Sequence, residues 1–172
     1  IKPTIDGLKS EGITYKGFLY AGLMIKNSEI SVLEFNCRFG DPETQPILMR
    51  MESDLAEICL LAAQGNLNER EISWTKDSAL GVVIASKGYP FEYEKNKEIN
   101  NLENENSRQK VFHAGTKTQE GKVLSNGGRV LCVTALGSTL LDSKNLAYQK
   151  VKNIDWKDGF YRDDIGDKAI KS

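Results

Sequence analysis

Residues 30–45, Ile-Ser-Val-Leu-Glu-Phe-Asn-Cys-Arg-Phe-Gly-Asp-Pro-Glu-Thr-Gln, leave the backbone few choices. Up to Phe39 the side chains alternate: Leu33, Phe35, Cys37 and Phe39 point one way, and Glu34, Asn36 and Arg38 the other. A period of two is the mark of a half-buried strand, because successive side chains leave opposite faces. The apolar row is expected to face a core. The opposite row then sets a carboxylate, a carboxamide and a guanidinium in line, about 6.5–7 Å apart. Gly40-Asp41-Pro42 ends the strand in a turn, which brings Asp41 and Glu43 toward the same end.

Such a row has two readings. It is the solvated face of a sheet, or it is a place for a cation and its phosphates. Glutamate and asparagine oxygens are hard ligands that suit magnesium. An arginine one step further suits a phosphate or carboxylate, which its planar fork grips with two hydrogen bonds. Glu34-x-Asn36-x-Arg38 on a strand resembles the nucleotide-metal strand of ATP-grasp ligases. The run Arg38-Phe39-Gly40-Asp41-Pro42-Glu43-Thr44-Gln45 resembles the signature of one branch, the phosphoribosylamine–glycine ligases, also called glycinamide ribonucleotide synthetases. Relatives such as biotin carboxylase share the first part and continue differently after the arginine, so the Asp-Pro-Glu-Thr tail discriminates.

Length and composition narrow the rest. With 172 residues the chain can bury one good core or two small ones. The 23 lysines and arginines nearly balance 24 aspartates and glutamates, so no global charge invites nucleic acid or an anionic membrane. Three cysteines (Cys37, Cys59, Cys132) without Cys-x-x-Cys spacing favour reduced thiols, and Cys37 and Cys59 are expected to be small core residues. No apolar run approaches the ~20 residues of a membrane span and no signal-peptide start is present, so a cytoplasmic location is expected. The sequence opens at Ile1 inside a charged segment and reads as part of a longer protein; the family resembled carries further domains upstream.

Along the chain, residues 1–14 predict a short helix, with Pro3 near its start and Gly12 as its stop. Residues 15–25 form an apolar, aromatic run suited to a strand, and Lys26-Asn27-Ser28-Glu29 turns it back into residues 30–39 as an antiparallel hairpin. Gly22 admits a close approach by another group, or is plain packing. The first strand carries no acid between Tyr15 and Asn27, although many ATP-grasp enzymes place a second metal carboxylate there. From Pro46 to Ala63 the period becomes helical, with Ile47, Met51, Leu55, Ile58 and Ala62 on one face. Ser53 reads as an N-cap in mid-pattern, so the stretch is either one helix or two with a kink at 52–53, and Gly65-Asn66 ends it. This face is expected to brace the metal strand. Residues 67–77 read as a polar linker and domain boundary.

Beyond it, residues 79–86 predict a buried strand, and residues 91–109 an exposed, mobile loop. Residues 110–114 and 122–125 predict strands, and Asn126-Gly127-Gly128 a hairpin turn into a strand over 129–136. Ser138 or Thr139 caps a helix from 140 to 152. His113, the only histidine, reads as structural; Asp163-Asp164 as an exposed acidic turn; Trp74 and Trp156 as packing.

The expected fold class is α+β: the C-terminal half of an ATP-grasp domain over residues 1–75, built of antiparallel strands plus helices, then a small mixed-sheet domain over 76–172. The resemblance implies an ATP-dependent ligase of de novo purine biosynthesis. It implies magnesium or manganese as cofactor, with ATP, glycine and 5-phosphoribosylamine as partners. The γ-phosphoryl of ATP is first moved onto the glycine carboxylate, and the amine then displaces phosphate from the glycyl phosphate. Glu34 and Asn36 are implied as metal and nucleotide ligands, Arg38 as a catalytic and substrate-binding residue, and Asp41 and Glu43 as substrate contacts. The 172 residues alone are expected to lack ligase activity. Another ATP-grasp carboxylate–amine ligase or carboxylase, and a non-catalytic interaction module, are the alternatives.

Overall fold

The computed structural model describes residues 1–67, 70–103 and 106–171. The chain is α+β, with helices and antiparallel sheets, and it divides into two compact units. The first holds Ile1–Asp41 and Met51–Trp74; the second holds Pro42–Arg50 and Thr75–Ser172.

In the first unit, helix α1 (Lys2–Ser10) begins with Pro3 in its opening turn, where a missing N–H leaves nothing unsatisfied. It closes as expected at Gly12, whose φ of 80° lets the Ile13 N–H reach the Leu8 carbonyl at 2.9 Å. Strands β1 (Tyr20–Lys26) and β2 (Glu29–Asn36) pair antiparallel. Asn27 and Ser28 both have positive φ, 51° and 65°. A two-residue turn of that kind carries the twist that hairpin strands require. The strand predicted from Tyr15 therefore starts only at Tyr20.

Helix α3 (Leu55–Gln64) is capped by Asp54, whose carboxylate accepts from the Ala56 and Glu57 N–H groups at 2.8 and 3.1 Å. Gly65 ends it in the left-handed region. Residues on one side of α3 (Ile58, Cys59, Ala62, Ala63) join Gly17 and Phe18 around an apolar cavity of about 550 Å³. Residues 51–53 run beside 73–74, with a bridge from Met51 to Trp74 and a hydrogen bond from Glu52 N–H to the Ser73 carbonyl at 3.0 Å.

Two expectations fail here. The apolar row of β2 is open: Leu33 is 64% and Phe35 41% exposed. Cys37 and Cys59 are exposed as well, and Cys132 alone of the three is buried. The hairpin is a two-stranded sheet, and a single thin layer buries little by itself.

The second unit is organised on a four-stranded sheet in the order β4-β7-β3-β8: Gln109–His113, Arg129–Gly137, Ser78–Ser86 and Gly159–Phe160. Its core is Val82, Val111, Leu131, Val133 and Ala135, packed against Ala147 and Val151 of helix α4 (Leu140–Asn153). Thr139 caps α4 in a capping box with Asp142, as the Ser-Thr start predicted. Helix α2 (Thr44–Arg50) packs on β3 and β7. Gly81 makes this possible, because a Cβ there would stand 3.0 Å from Pro46 and 3.1 Å from the Cys132 sulfur. The helical face of 46–63 is thus split between the two units, and α2 braces the second sheet rather than the hairpin.

Strands β5 (Thr116–Gln119) and β6 (Lys122–Ser125) form a sheet of their own. Residues 126–128 therefore connect two sheets instead of turning a hairpin into β7. Helix α5 (Asp167–Lys171) closes the chain.

The loop expected at 91–109 is tied down over its described part. Ile99 is 2% exposed, its N–H donates to the Val123 carbonyl at 2.9 Å, and Asn100 bridges Asp155. Residues 104 and 105 of that expectation lie outside the described residues.

Candidate functional site

Strand β2 carries Glu34 and Asn36 and ends there, short of the Phe39 expected, so Arg38 lies in the bend that follows; the pairing with β1 shapes the row. Asn36 lies opposite Tyr20, Phe35 opposite Ala21 and Glu34 opposite Gly22. The register then slips between Gly22 and Leu23, which pairs with Val32 and leaves Leu33 extra. The alternation is therefore interrupted just before Glu34, where the sequence alone reads as regular. A bulge of this kind bends the strand and re-aims the side chains beside it.

From Glu34 onward the row is continuous. Asn36 Nδ2 donates to Glu34 Oε1 at 3.0 Å, and Arg38 Nη2 donates to Asn36 Oδ1 at 3.5 Å, near the limit of a hydrogen bond. Arg38 Nη1 donates to the Phe39 carbonyl at 2.8 Å, which holds the guanidinium at the strand end. Glu34 and Arg38 are exposed and Asn36 is half-buried, so all three stand at a surface that a ligand can reach.

The segment before β1 supports the end of the row. The Phe18 and Phe39 rings lie 3.9 Å apart between centroids. The Tyr15 hydroxyl donates to the Phe18 carbonyl at 2.6 Å. A hydrogen bond with the Cys37 thiol, then burial, pushes the Tyr15 phenol above its ordinary range. Tyr15 escaped the sequence reading, since one aromatic residue in an apolar run carries no positional signal.

Glu34 and Asn36 offer two hard oxygen donors two residues apart on one strand. Among the described residues no group of three or more His, Cys, Asp or Glu could enclose a metal. The donor set therefore fits magnesium or manganese, which keep waters and share phosphate oxygens, better than a metal that needs a closed protein cage.

Asp41 and Glu43 follow the row in the chain, on the two sides of the boundary between the units. Asp41 is exposed in the turn that ends the first unit. Glu43 belongs to the second unit, half-buried ahead of α2, where its carbonyl accepts from the Ile47 N–H at 3.2 Å. His113 Nδ1 lies 3.0 Å from Thr116 Oγ1, a local contact at the start of β5. Asp164 pairs with Arg162, whose Nε and Nη2 reach it at 2.8 and 2.6 Å; that pairing lowers the carboxyl below its usual range.

The family described as phosphoribosylglycinamide synthetase, C domain, matches residues 79–168, and the ATP-grasp (A) domain of the same synthetase matches residues 1–44. A phosphoribosylamine–glycine ligase from Pasteurella multocida is 50% identical over 171 residues, and one from Vibrio cholerae is 53% identical over 172. Each alignment covers 99% of this chain and 40% of the relative, so the chain spans about two fifths of the length of these relatives. A crystal structure of phosphoribosylamine–glycine ligase from Thermotoga maritima superposes with a TM-score of 0.81 at 35% identity, over 94% of this chain and 40% of that one.

A hairpin with an ATP-grasp match, followed by an α+β unit, sets the class: this is a chain of the ATP-grasp ligase kind. Within that class it belongs to the phosphoribosylglycinamide synthetase family.

Proposed function

We propose that these residues form the metal-binding and C-terminal part of an ATP-dependent ligase that joins glycine to 5-phosphoribosylamine. ADP and phosphate are the other products. The observation that carries this reading is the hydrogen-bonded row of Glu34 and Asn36 on β2 and Arg38 just past its end, in a chain of this family.

A carboxylate is a poor acyl donor, so glycine must first accept the γ-phosphoryl of ATP. Phosphoryl transfer asks the protein for positioning and charge neutralisation more than for covalent help. In this reading Glu34 and Asn36 bind the cation through their side-chain oxygens. Held there, magnesium or manganese would supply positive charge to offset that of the ATP phosphates. Arg38, held against the Phe39 carbonyl, presents its remaining N–H groups to the anionic end of the substrate or to the transferring group. Asp41 and Glu43 are proposed to meet the amine or the ribose hydroxyls of the acceptor. Residues 1–75 act as the C-terminal part of the ATP-grasp domain and residues 76–172 as the small C-terminal domain.

The test is Glu34→Ala in a chimera that joins this chain to the upstream residues of the Pasteurella multocida relative. Turnover is expected to fall by about 10²–10³-fold, the usual cost of removing one transition-state electrostatic partner. The melting temperature is expected to stay near that of the parent. Near-normal turnover with magnesium would refute the assignment.

A further inference from the structure

Gly22 is buried, whereas the hairpin residues that follow it from Leu23 to Phe35 are all exposed. It lies opposite Glu34 at the point where the register slips. A Cβ at this position would stand 3.0 Å from Glu34 Cγ, 3.6 Å from a Tyr20 ring carbon and 3.7 Å from the Glu34 carbonyl oxygen. The space beside Gly22 is therefore occupied by the stem of the Glu34 side chain, which lies across the neighbouring strand.

The backbone at Gly22 does not require glycine, since it is not among the positive-φ glycines of the chain. A glycine in such a strand is ordinarily a weak point, and alanine with a compatible backbone strengthens it. Here the added methyl meets Glu34 Cγ, which must give by a few tenths of an ångström, and with the strands held in register Cγ gives by rotation about the Glu34 Cα–Cβ bond. That rotation takes the carboxylate away from Asn36, its partner at 3.0 Å. From this geometry we infer that Gly22 is a positioning residue for the Glu34 carboxylate: the missing Cβ fixes where the metal ligand lies. The inference rests on the proposed role of Glu34 as a cation ligand.

The experiment uses the 172-residue chain, ¹⁵N-labelled, with Mn²⁺ alone as the probe. Paramagnetic broadening reports weak binding residue by residue. In the unaltered chain, broadening is expected to centre on the amides of residues 34–36 and to spare Val133 in the second unit. Gly22→Ala is expected to need at least about tenfold more Mn²⁺ for the same broadening, the scale on which supporting residues tune metal affinity. Cross-strand contacts between Ala21 and Phe35 are expected to persist. Equal broadening in Gly22→Ala overturns the inference and leaves the metal reading intact. Absence of broadening at 34–36 in the unaltered chain overturns the metal reading, and the inference with it. If Gly22→Ala loses the Ala21–Phe35 contacts, the double variant Gly22→Ala/Glu34→Ala decides. Removal of Cγ then restores the pairing if the methyl acts through Glu34; failure to restore it overturns the inference.

Discussion

Arg38 holds two neighbours at once, the Phe39 carbonyl through Nη1 and the Asn36 carboxamide through Nη2. A lysine has the same charge but no fork, so it cannot keep both contacts while facing a ligand. Arg38→Lys in the chimera is expected to lower kcat by about 10²-fold with the melting temperature unchanged. Steady-state rates and a thermal melt check this; a change confined to KM would instead make Arg38 a ground-state anchor. Glu34 and Asn36 were legible in the sequence because period two is a property of the strand itself, whereas Arg38, past the strand end, is tied to the row by its hydrogen bonds. Two things were not. The bulge at Leu33 is set by pairing with the other strand, where Gly22 marks a special position without saying that a residue of the partner is left over. The exposure of Cys37 and Phe35 depends on what covers a face, and an apolar residue in a pattern says only that something could.

At the scale of elements, local signals fared best. Pro3, Gly12, Gly65 and Thr139 each mark a helix end through chemistry contained within a few residues, whereas the cap read at Ser53 falls one residue later, on Asp54. Thr139→Ala is expected to cost about 1 kcal/mol, measured by urea denaturation. The cap also makes acid sensitivity readable. Hydrogen bonds from Ser138 and then Thr139 hold the Asp142 carboxyl below its ordinary value. A carboxyl depressed in the folded state stabilises fully above the unfolded pKa of about 3.9 and loses that contribution as pH falls through its lower native value. Asp167, lowered chiefly by its hydrogen bond with Lys144, moves in the same direction. Acid unfolding monitored at α4 is therefore expected below pH ~4, and Asp142→Asn is expected to flatten that acid limb. Strand β5 shows the opposite case. Thr-Lys-Thr-Gln has no apolar alternation, and it is a strand because Thr116 to Gln119 pair with Ser125 to Lys122. Hydrogen exchange is expected to separate the sheets: slow for Leu131 and Val133 in the buried sheet, fast for the amides of the exposed hairpin.

For the whole molecule, the main sheet joins residues 78–86 to 129–137 and to 109–113. Pairings of that separation leave no trace in any short window, so α+β composition was readable and strand order was not. The helical period running through 47, 51, 55 and 58 likewise conceals a change of unit at 50–51. Periodicity reports a face and does not say which partner the face meets. Leu131→Ala, which empties a site 1% exposed, is expected to destabilise the second unit by about 2–5 kcal/mol. The 172-residue chain by itself is expected to show no ligase turnover, and calorimetry is expected to find ATP affinity weaker than micromolar. Micromolar binding would mean that the residues of this chain suffice for the nucleotide site.

In the proposed site a cation sits on the Glu34–Asn36 pair. Anomalous diffraction from crystals of the chimera grown with Mn²⁺ and a non-hydrolysable ATP analogue tests it most directly. A manganese peak is expected at coordinating distance, about 2.1 Å, from a Glu34 carboxylate oxygen and the Asn36 carboxamide oxygen. A peak held by other residues, with Glu34 and Asn36 still bonded only to each other, would contradict it.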